Sequence, residues 1–284
     1  MAIAAFALLA HVPLAGAQSR PPDLAVEAPP SRASAADLVR NIDREALAAA
    51  FARAGLQVPP RIRVTLVPEE DPRSGEVPRW IVGQAHGADE VVIFPDRVGP
   101  YPYGSLESVV WHEVAHAALS VQAGGQPLPR WFHEGVAVSV EKEWGLASDA
   151  RVLLATVRDP DLADLRRLFV SDAQYDTASA YLLAAALVSD VRERHGSAVP
   201  GAIVDRVAGG TPFARAFELE TGVTPEQAAA RTWGVYRRWT RWIPVMTSGS
   251  TIWIGIMLLS LIAFVATLRR RAARRRRWEL EEME

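Results

Sequence analysis

The chain has 284 residues, of which 49% are hydrophobic and 23% charged, a balance typical of folded domains that excludes disorder and fibrous repeats. It contains no cysteine, which excludes disulfide scaffolds, thiolate metal sites and cysteine nucleophiles. The formal net charge is −2. The C-terminal tail holds seven arginines at residues 269–277 and four acids in the last seven residues. The rest of the chain keeps 24 basic and 29 acidic side chains, and this acidic balance argues against nucleic-acid binding.

The first 17 residues are typical of a signal peptide. Residues 2–10 form a short apolar run, and Ala15-Gly16-Ala17 gives the small-x-small pattern at which signal peptidases cleave. An uncleaved anchor is the alternative, but the run is short for a bilayer span. Four prolines and little apolar periodicity then predict a linker over residues 18–33.

Residues 34–240 are predicted to form one domain, with strands first and helices afterwards. Ser34 can cap a helix that runs to about Ala54. Alternation of apolar and polar residues predicts three strands, at residues 61–67, 79–85 and 90–94, with a hairpin turn at 86–89. Beyond Ser105 the pattern is helical almost to the end of the domain. This order of elements predicts the α+β class.

A metal-binding motif lies in the first of these later helices, where His112-Glu113-Val114-Ala115-His116 matches H-E-x-x-H. Residues four apart lie one turn apart on the same helix face, so both imidazoles can reach one metal ion. Glu113 is then placed to take a proton from the attacking water. Ser105 can cap this helix, and Gly124 and Gly125 stop it.

Two histidines leave a zinc site short of one protein ligand, and the following segment can supply it. Pro129 can open a second helix that runs to about Glu143. A carboxylate of that helix, Glu134, is one candidate, and the adjacent His133 is its rival. Neighbouring residues project about 100° apart around a helix, so both side chains cannot easily face the same ion.

On these two motifs the sequence resembles the gluzincin metallopeptidases, in particular the peptidase MA-like domains. Their zinc helix is followed by a Pro-x-Trp-Phe-x-Glu-Gly-x-Ala stretch, which is matched here by Pro129, Trp131, Phe132, Glu134, Gly135 and Ala137. The resemblance extends, more weakly, over about residues 60–240. It implies a zincin-like fold, with a small N-terminal β-sheet, a zinc-binding active-site helix and a helical C-terminal part. It also implies that His112, His116 and Glu134 bind Zn²⁺ and that Glu113 is the general base.

The same resemblance suggests further roles. Tyrosine stabilises the oxyanion in many gluzincins, and Tyr175 and Tyr181 are the candidates here. The strand at residues 90–94 would be an exposed edge that pairs with an extended peptide substrate. In the family, an acidic or polar residue and then an aromatic residue often follow the motif, whereas this chain has Val138 and Ser139 there. Glu141 is one candidate for the acidic side chain that orients the zinc histidines. His86 and His195 are interpreted as surface residues.

The C-terminal region is predicted to cross a membrane. Thr251–Leu268 carries no charge and would rise about 27 Å as a helix, so a transmembrane helix is predicted over residues 249–268. The arginines that follow place residues 269–284 in the cytoplasm by the positive-inside rule. A buried core helix is the alternative for the apolar stretch. Before it, Trp233, Tyr236, Trp239 and Trp242 indicate a helix that lies on lipid headgroups or, equally, one packed on the domain.

Together these features predict a single-pass cell-membrane zinc metallopeptidase with its catalytic domain, at residues 34–240, on the extracytoplasmic side. It would hydrolyse peptide bonds of a peptide or protein substrate, with water as the nucleophile and Glu113 as its base. Its other partner would be the lipid bilayer, through the C-terminal helix. The alternative is a zincin-fold binding or scaffold domain, tethered to the membrane, that is catalytically weak or inactive.

Overall fold

A computed structural model describes residues 20–99, 104–141, 151–152, 155–156, 160–169, 174–240, 253, 256–267 and 269. It has a small mixed sheet followed by helices, which confirms the predicted α+β class. The strands are β1 (Asp23–Glu27), β2 (Arg61–Leu66), β3 (Gly83–His86) and β4 (Glu90–Ile93). The helices are α1 (Ala33–Arg40), α2 (Arg44–Arg53), α3 (Pro72–Gly75), α4 (Leu106–Gln122), α5 (Arg130–Glu141), α6 (Leu162–Leu168), α7 (Gln174–His195), α8 (Val199–Ala208), α9 (Phe213–Thr221) and α10 (Pro225–Thr240).

The four strands lie in the order β1-β2-β4-β3. β1 and β4 run parallel to β2, and β3 pairs with β4 in an antiparallel hairpin whose turn includes Gly87 at a φ of +65°. Along β2, Ile62, Val64 and Leu66 are buried, whereas the alternate residues Arg61 and Arg63 are exposed. This period of two puts one face of the sheet on the core, against which α4 packs through β3 and β4.

Two expectations about the sheet are wrong. Residues 18–33 are not a linker throughout, because β1 lies within them and pairs with β2 from Asp23 to Glu27. Only Leu24 of β1 is fully buried, so the sequence shows no alternating pattern, and the strand is held by backbone hydrogen bonds to its neighbour. The strand at residues 90–94 is not an exposed edge either: β4 lies between β2 and β3, and β3 is the edge on that side.

The helical layer differs from expectation at its start. The single helix predicted from Ser34 to Ala54 is divided into α1 and α2. The division falls before Asp43, whose carboxylate accepts a hydrogen bond from the backbone N–H of Ala46 at 2.9 Å and so begins a new helix.

The strand predicted at residues 79–85 is shorter than expected, because regular pairing with β4 begins only at Gly83.

The aromatic residues before the C-terminal segment are explained in part by packing. Trp233 of α10 is buried, and its indole N–H donates to the backbone carbonyl of Leu183 in α7 at 3.3 Å. At this position α10 is therefore packed on the domain, as one of the two interpretations expected. The Trp239 side chain and Trp242 lie outside the described residues.

The predicted signal peptide at residues 1–17 lies outside the described residues, and so does most of the predicted cytoplasmic tail at 269–284. The predicted transmembrane helix at 249–268 is described only at 253 and 256–267. Among the residues that the structure does describe, no helix has both the length and the apolar character that crossing a membrane requires. The helical residues 256–267 nevertheless expose a run of large apolar side chains.

An ion pair joins the turn that follows β1 to the turn that follows β4, and it gives a pH-dependent prediction. Arg32 donates to Asp96 at 2.6 Å, and the backbone N–H of Glu69 donates to the same carboxylate at 2.9 Å. The hydrogen bond from Arg32 holds the pKa of Asp96 below its usual value. A lowered folded-state pKa stabilises the native state above the unfolded pKa, and this contribution is lost as the pH falls through the folded pKa.

We therefore expect Asp96→Asn to lower the free energy of unfolding at pH 7 by about 1 kcal/mol, discounted because the pair is partly exposed. The difference from the parent should begin to shrink as the pH falls through the unfolded-state pKa of about 3.9, and it should vanish below the lower folded-state pKa, where the parent carboxylate is protonated in both states. Thermal unfolding at several pH values measures it. Asp37→Asn, at an exposed pair with Arg40 in α1, is the matched control and should change stability little at any pH. A pH-independent deficit in Asp96→Asn would contradict the explanation.

Candidate metal centre

Helix α4 carries the histidine motif into the core. Ser105 caps the helix by accepting a hydrogen bond from the backbone N–H of Ser108 at 3.1 Å, as the sequence predicts. Apolar residues such as Val109 and Val110 bury its inner face. His112 and His116 lie one turn apart, with ring centroids 4.7 Å from each other. His112 is only 1% exposed, whereas His116 is partly open to solvent.

Helix α5 brings a carboxylate to the two histidines. Trp131 and Phe132, in its first turn, pack edge-on against Phe213 and anchor the start of the helix. Gly135 lies against α7 so closely that a Cβ atom there would be 2.6 Å from the carbonyl oxygen of Ala184. These contacts fix α5 between α4 and α7 and turn Glu134, which is 7% exposed, towards the motif.

Three side-chain atoms meet at one point. The Nε2 atoms of His112 and His116 are 3.1 Å apart, and they lie 3.2 and 3.4 Å from Oε2 of Glu134. Among the described residues, these three side chains form the group of histidine and acidic ligands that could hold a metal ion. His133 does not belong to this group; its ring lies 5.6 Å from that of His116, centroid to centroid.

The donor set fits a zinc ion. Zinc takes imidazole nitrogen and carboxylate oxygen at about 2.0–2.2 Å in a tetrahedral arrangement, so two ligand atoms should be about 3.3 Å apart. The three separations, from 3.1 to 3.4 Å, agree with that value. Two histidines and one carboxylate are three protein ligands, the number found in catalytic sites that keep a position open.

Glu113 lies beside this centre under the edge of the sheet. It is 4% exposed, and the backbone N–H of Ala85 in β3 lies close enough to its carboxylate to lower its pKa slightly. A Cβ atom on Gly83 would be 2.7 Å from both Cγ and Oε1 of Glu113, so only glycine allows the strand to pass this closely. Burial raises the pKa of Glu113, although the neighbouring histidines oppose the shift.

Comparisons with known proteins leave the family of this chain open. No protein-family model, curated protein or solved structure matches it. The resemblance to gluzincins therefore depends on the two motifs alone.

The ligand group is electrostatically coupled. Burial alone would raise the pKa of Glu134, but hydrogen bonds from His112 and His116 outweigh it and hold that pKa far below its usual value. Burial likewise disfavours protonated His116, but its hydrogen bond to Glu134 raises its pKa overall. Burial and the charge of His116 lower the pKa of His133 to about 4. Glu134 is thus ionised, as a metal ligand must be, and His133 is neutral at pH 7.

The remaining candidates are distributed as follows. The Tyr181 ring lies 6.1 Å from the His112 ring, centroid to centroid, and it is one of the two tyrosines proposed for the oxyanion. Tyr175 belongs to the first turn of α7, but its side chain lies outside the described residues. Glu141 ends α5, two turns beyond Glu134. His86 is exposed at the end of β3, and His195 is partly buried at the end of α7.

Ser139, one of the two departures from the family motif, has a packing role. Its backbone carbonyl accepts a hydrogen bond from Arg192 of α7 at 2.7 Å, and its hydroxyl lies 3.2 Å from the same guanidinium nitrogen. Arg192 thereby connects α7 to the end of the described part of α5. The departure thus supports the packing of α5 on α7.

Sequence reasoning missed three residues at the site. Arg130 lies four residues before Glu134, and its Nε is 3.5 Å from Oε1 of that carboxylate. The i,i+4 spacing of an arginine and a glutamate was a usable signal for this pair. Gly83 and Ala85 of β3, by contrast, contact Glu113 across nearly 30 residues of sequence, and no local pattern indicates that contact.

Arg97 explains why β3 is held in place. Its buried guanidinium donates to four backbone carbonyls, those of Ser74, Val77, Pro78 and Ile81, and to the carboxylate of Glu69 at 2.8 Å. The segment at residues 74–81, which leads into β3, is therefore held by Arg97 at four backbone carbonyls. Because Gly83 follows this segment directly, Arg97 helps to fix the strand that covers Glu113.

Proposed function

We propose that the chain is a membrane-anchored zinc metallopeptidase of the gluzincin type, with a zincin-like fold, that hydrolyses peptide bonds on the extracytoplasmic side of the cell membrane. The observation that carries the proposal is the meeting of His112, His116 and Glu134 at zinc-ligand separations, with Glu113 buried beside them. Bound zinc would polarise the substrate carbonyl and lower the pKa of water. A purely structural zinc site would have no need of Glu113, a basic carboxylate next to an open coordination position.

Glu113 would move the proton. Its carboxylate takes a proton from the attacking water as the carbon–oxygen bond forms, and gives it to the amine nitrogen as the carbon–nitrogen bond breaks. A raised pKa makes this carboxylate a stronger base than an ordinary glutamate, which suits the first transfer.

The edge strand β3, and not β4, would receive the substrate. The Val82 carbonyl accepts a hydrogen bond from Phe94 N–H, so the peptide groups of alternate residues, Gly83 and Ala85, face away from β4. An extended peptide added to this edge would run directly beside Glu113. Tyr181, whose ring lies 6.1 Å from the His112 ring between centroids, would stabilise the oxyanion.

The membrane anchor is supported by the residues that precede the arginine cluster. Residues 256–267 are helical, and their large apolar side chains are exposed in the isolated chain, including Leu259 and Ile262. Seven arginines follow within nine residues. Such a surface is suited to lipid, and the arginine excess favours a cytoplasmic C-terminus.

One observation favours the alternative of a binding or scaffold domain without efficient catalysis. Glu113 is almost completely buried beneath β3, so water has little access to it in this conformation. Both functions retain the metal, so metal content cannot distinguish them. They differ in whether any peptide is cleaved efficiently.

The proposal is tested with the full chain in detergent. We expect about one zinc per chain in the parent and much less in Glu134→Ala, because two histidines alone hold zinc weakly. We also expect the parent to cleave members of a peptide library, to stop after chelation and to resume when zinc is restored. Glu107→Gln, at an exposed position of α4, is the matched control for metal content. Folded parent without zinc would overturn the proposal, and zinc without cleavage would favour the scaffold.

A further inference from the structure

We propose that Arg130 is a positioning residue that restricts Glu134 to binding the metal through one oxygen. The inference depends on the proposed metal site and adds the reason why its third ligand keeps the fourth position open. Sequence comparison with the gluzincin motif does not indicate this role, because Arg130 occupies the variable position between Pro129 and Trp131.

The two oxygens of Glu134 have different neighbours. Oε2 faces Nε2 of His112 and of His116, at 3.2 and 3.4 Å. Oε1 faces Nε of Arg130, at 3.5 Å. The carboxylate is therefore divided between the histidines on one side and the guanidinium on the other.

Arg130 is itself held in place, unlike most arginines in exposed i,i+4 pairs. Its NH1 group donates to the backbone carbonyl of Phe169, just after α6, at 2.9 Å. Its guanidinium carbon lies 5.1 Å from the centroid of the Phe169 ring. Exposed ion pairs contribute little because two mobile side chains must be ordered. Here the arginine is already ordered by Phe169 and the carboxylate by burial, so the pair loses little entropy on forming.

Phe169 links this contact to a second ligand. Its ring packs edge-on against Tyr181 at 5.6 Å, and Tyr181 in turn lies against His112. The end of α6 therefore supports Glu134 through Arg130 and His112 through Tyr181. Partners of this kind orient metal ligands and typically change metal affinity by about 10–100-fold.

The chemical consequence concerns the coordination number. A carboxylate that can bind through both oxygens would occupy the space that a substrate oxygen and the nucleophile need. An ion pair to Oε1 disfavours that mode because the oxygen would have to leave the guanidinium. Arg130 thus favours four-coordinate geometry with three protein ligands.

The test compares Arg130→Gln and Arg130→Lys with the parent, each as the full chain in detergent. Zinc affinity is measured by competition with a chromophoric chelator, and coordination by the visible spectrum of the Co²⁺-substituted protein, which is intense for four-coordinate cobalt and weak for higher coordination numbers. We expect R130Q to bind zinc about 10–100-fold more weakly, with a weaker cobalt spectrum. R130K should be intermediate, because lysine keeps the charge but cannot contact Glu134 and Phe169 through a rigid fork.

Arg166→Gln, at an exposed arginine of α6, is the matched control and should bind both metals as the parent does. Parent-like zinc affinity and cobalt spectrum in R130Q would overturn the inference and leave the metallopeptidase proposal intact. If R130Q fails to fold by circular dichroism, R130K decides: weaker zinc binding supports the role, and unchanged binding overturns it. A folded parent that binds no zinc would overturn both proposals together.

Discussion

Glu113→Gln is expected to lower the rate of peptide hydrolysis by about 10²–10⁴-fold, the contribution typical of a positioned general base, and to leave about one zinc per chain. Glutamine has almost the shape of glutamate, and its amide oxygen can still face the nearby Ala85 N–H. The substitution therefore removes the basic oxygen and keeps the packing beneath Gly83. The three proposed metal ligands are unchanged, so zinc content should stay at the parent level while activity falls.

The measurement is the steady-state rate on any library peptide that the parent cleaves, together with the zinc content of both proteins. Glu107→Gln removes a glutamate from the first turn of the same helix, where it is exposed, and should cleave at the parent rate. Unchanged hydrolysis by Glu113→Gln would refute the role of Glu113. Loss of zinc along with activity would show that Glu113 supports the metal site instead of moving the proton.

The meeting of the side chains in the candidate metal site could be predicted in part from sequence, because it depends on helical periodicity. His112 and His116 are one turn apart, and that spacing alone puts both rings on one face. Glu134 is on a different helix, and its approach depends on how α5 packs. The sequence shows the requirement for close packing only as a glycine after the glutamate, whereas the structure shows the contact, between Gly135 and Ala184.

The two errors about the sheet have a common physical cause, which is that backbone pairing leaves little trace in the pattern of side chains. β1 buries one residue fully and is held by its ladder to β2, so a proline-rich segment with no alternation becomes a strand. Either strand of the β3–β4 hairpin could lie next to β2, because both satisfy the same local sequence pattern. In the structure β4 takes that place, and β3 is therefore the edge strand. Arg130 was missed for another reason, since an exposed arginine gains its role from Phe169, 39 residues away.

The packing of α5 on α7 gives the second large effect. A Cβ atom on Gly135 would lie 2.6 Å from the Ala184 carbonyl oxygen and 2.7 Å from Cγ2 of Val188. The first of these is a backbone atom inside a helix, so a rotamer change cannot relieve the overlap and the helices must separate. Overpacking of a core typically costs 1–3 kcal/mol. We expect Gly135→Ala to lower the free energy of unfolding by about 3 kcal/mol, at the upper end of that range, since backbone has to move.

The same displacement should weaken zinc binding, because Glu134 precedes Gly135 on the helix that moves. Metal ligands tolerate deviations of only about 0.2 Å, and a helix pushed outwards by more than that carries Oε2 away from the histidines. Thermal unfolding of the metal-free chain and zinc competition measure the two effects separately. Gly75→Ala is the matched control, since nothing lies within 4 Å of its Cβ position, and it should change neither by a measurable amount. Parent-like stability in Gly135→Ala would mean that α5 and α7 are not in backbone contact. The packing of these helices would then not explain why Glu134 lies beside the histidines.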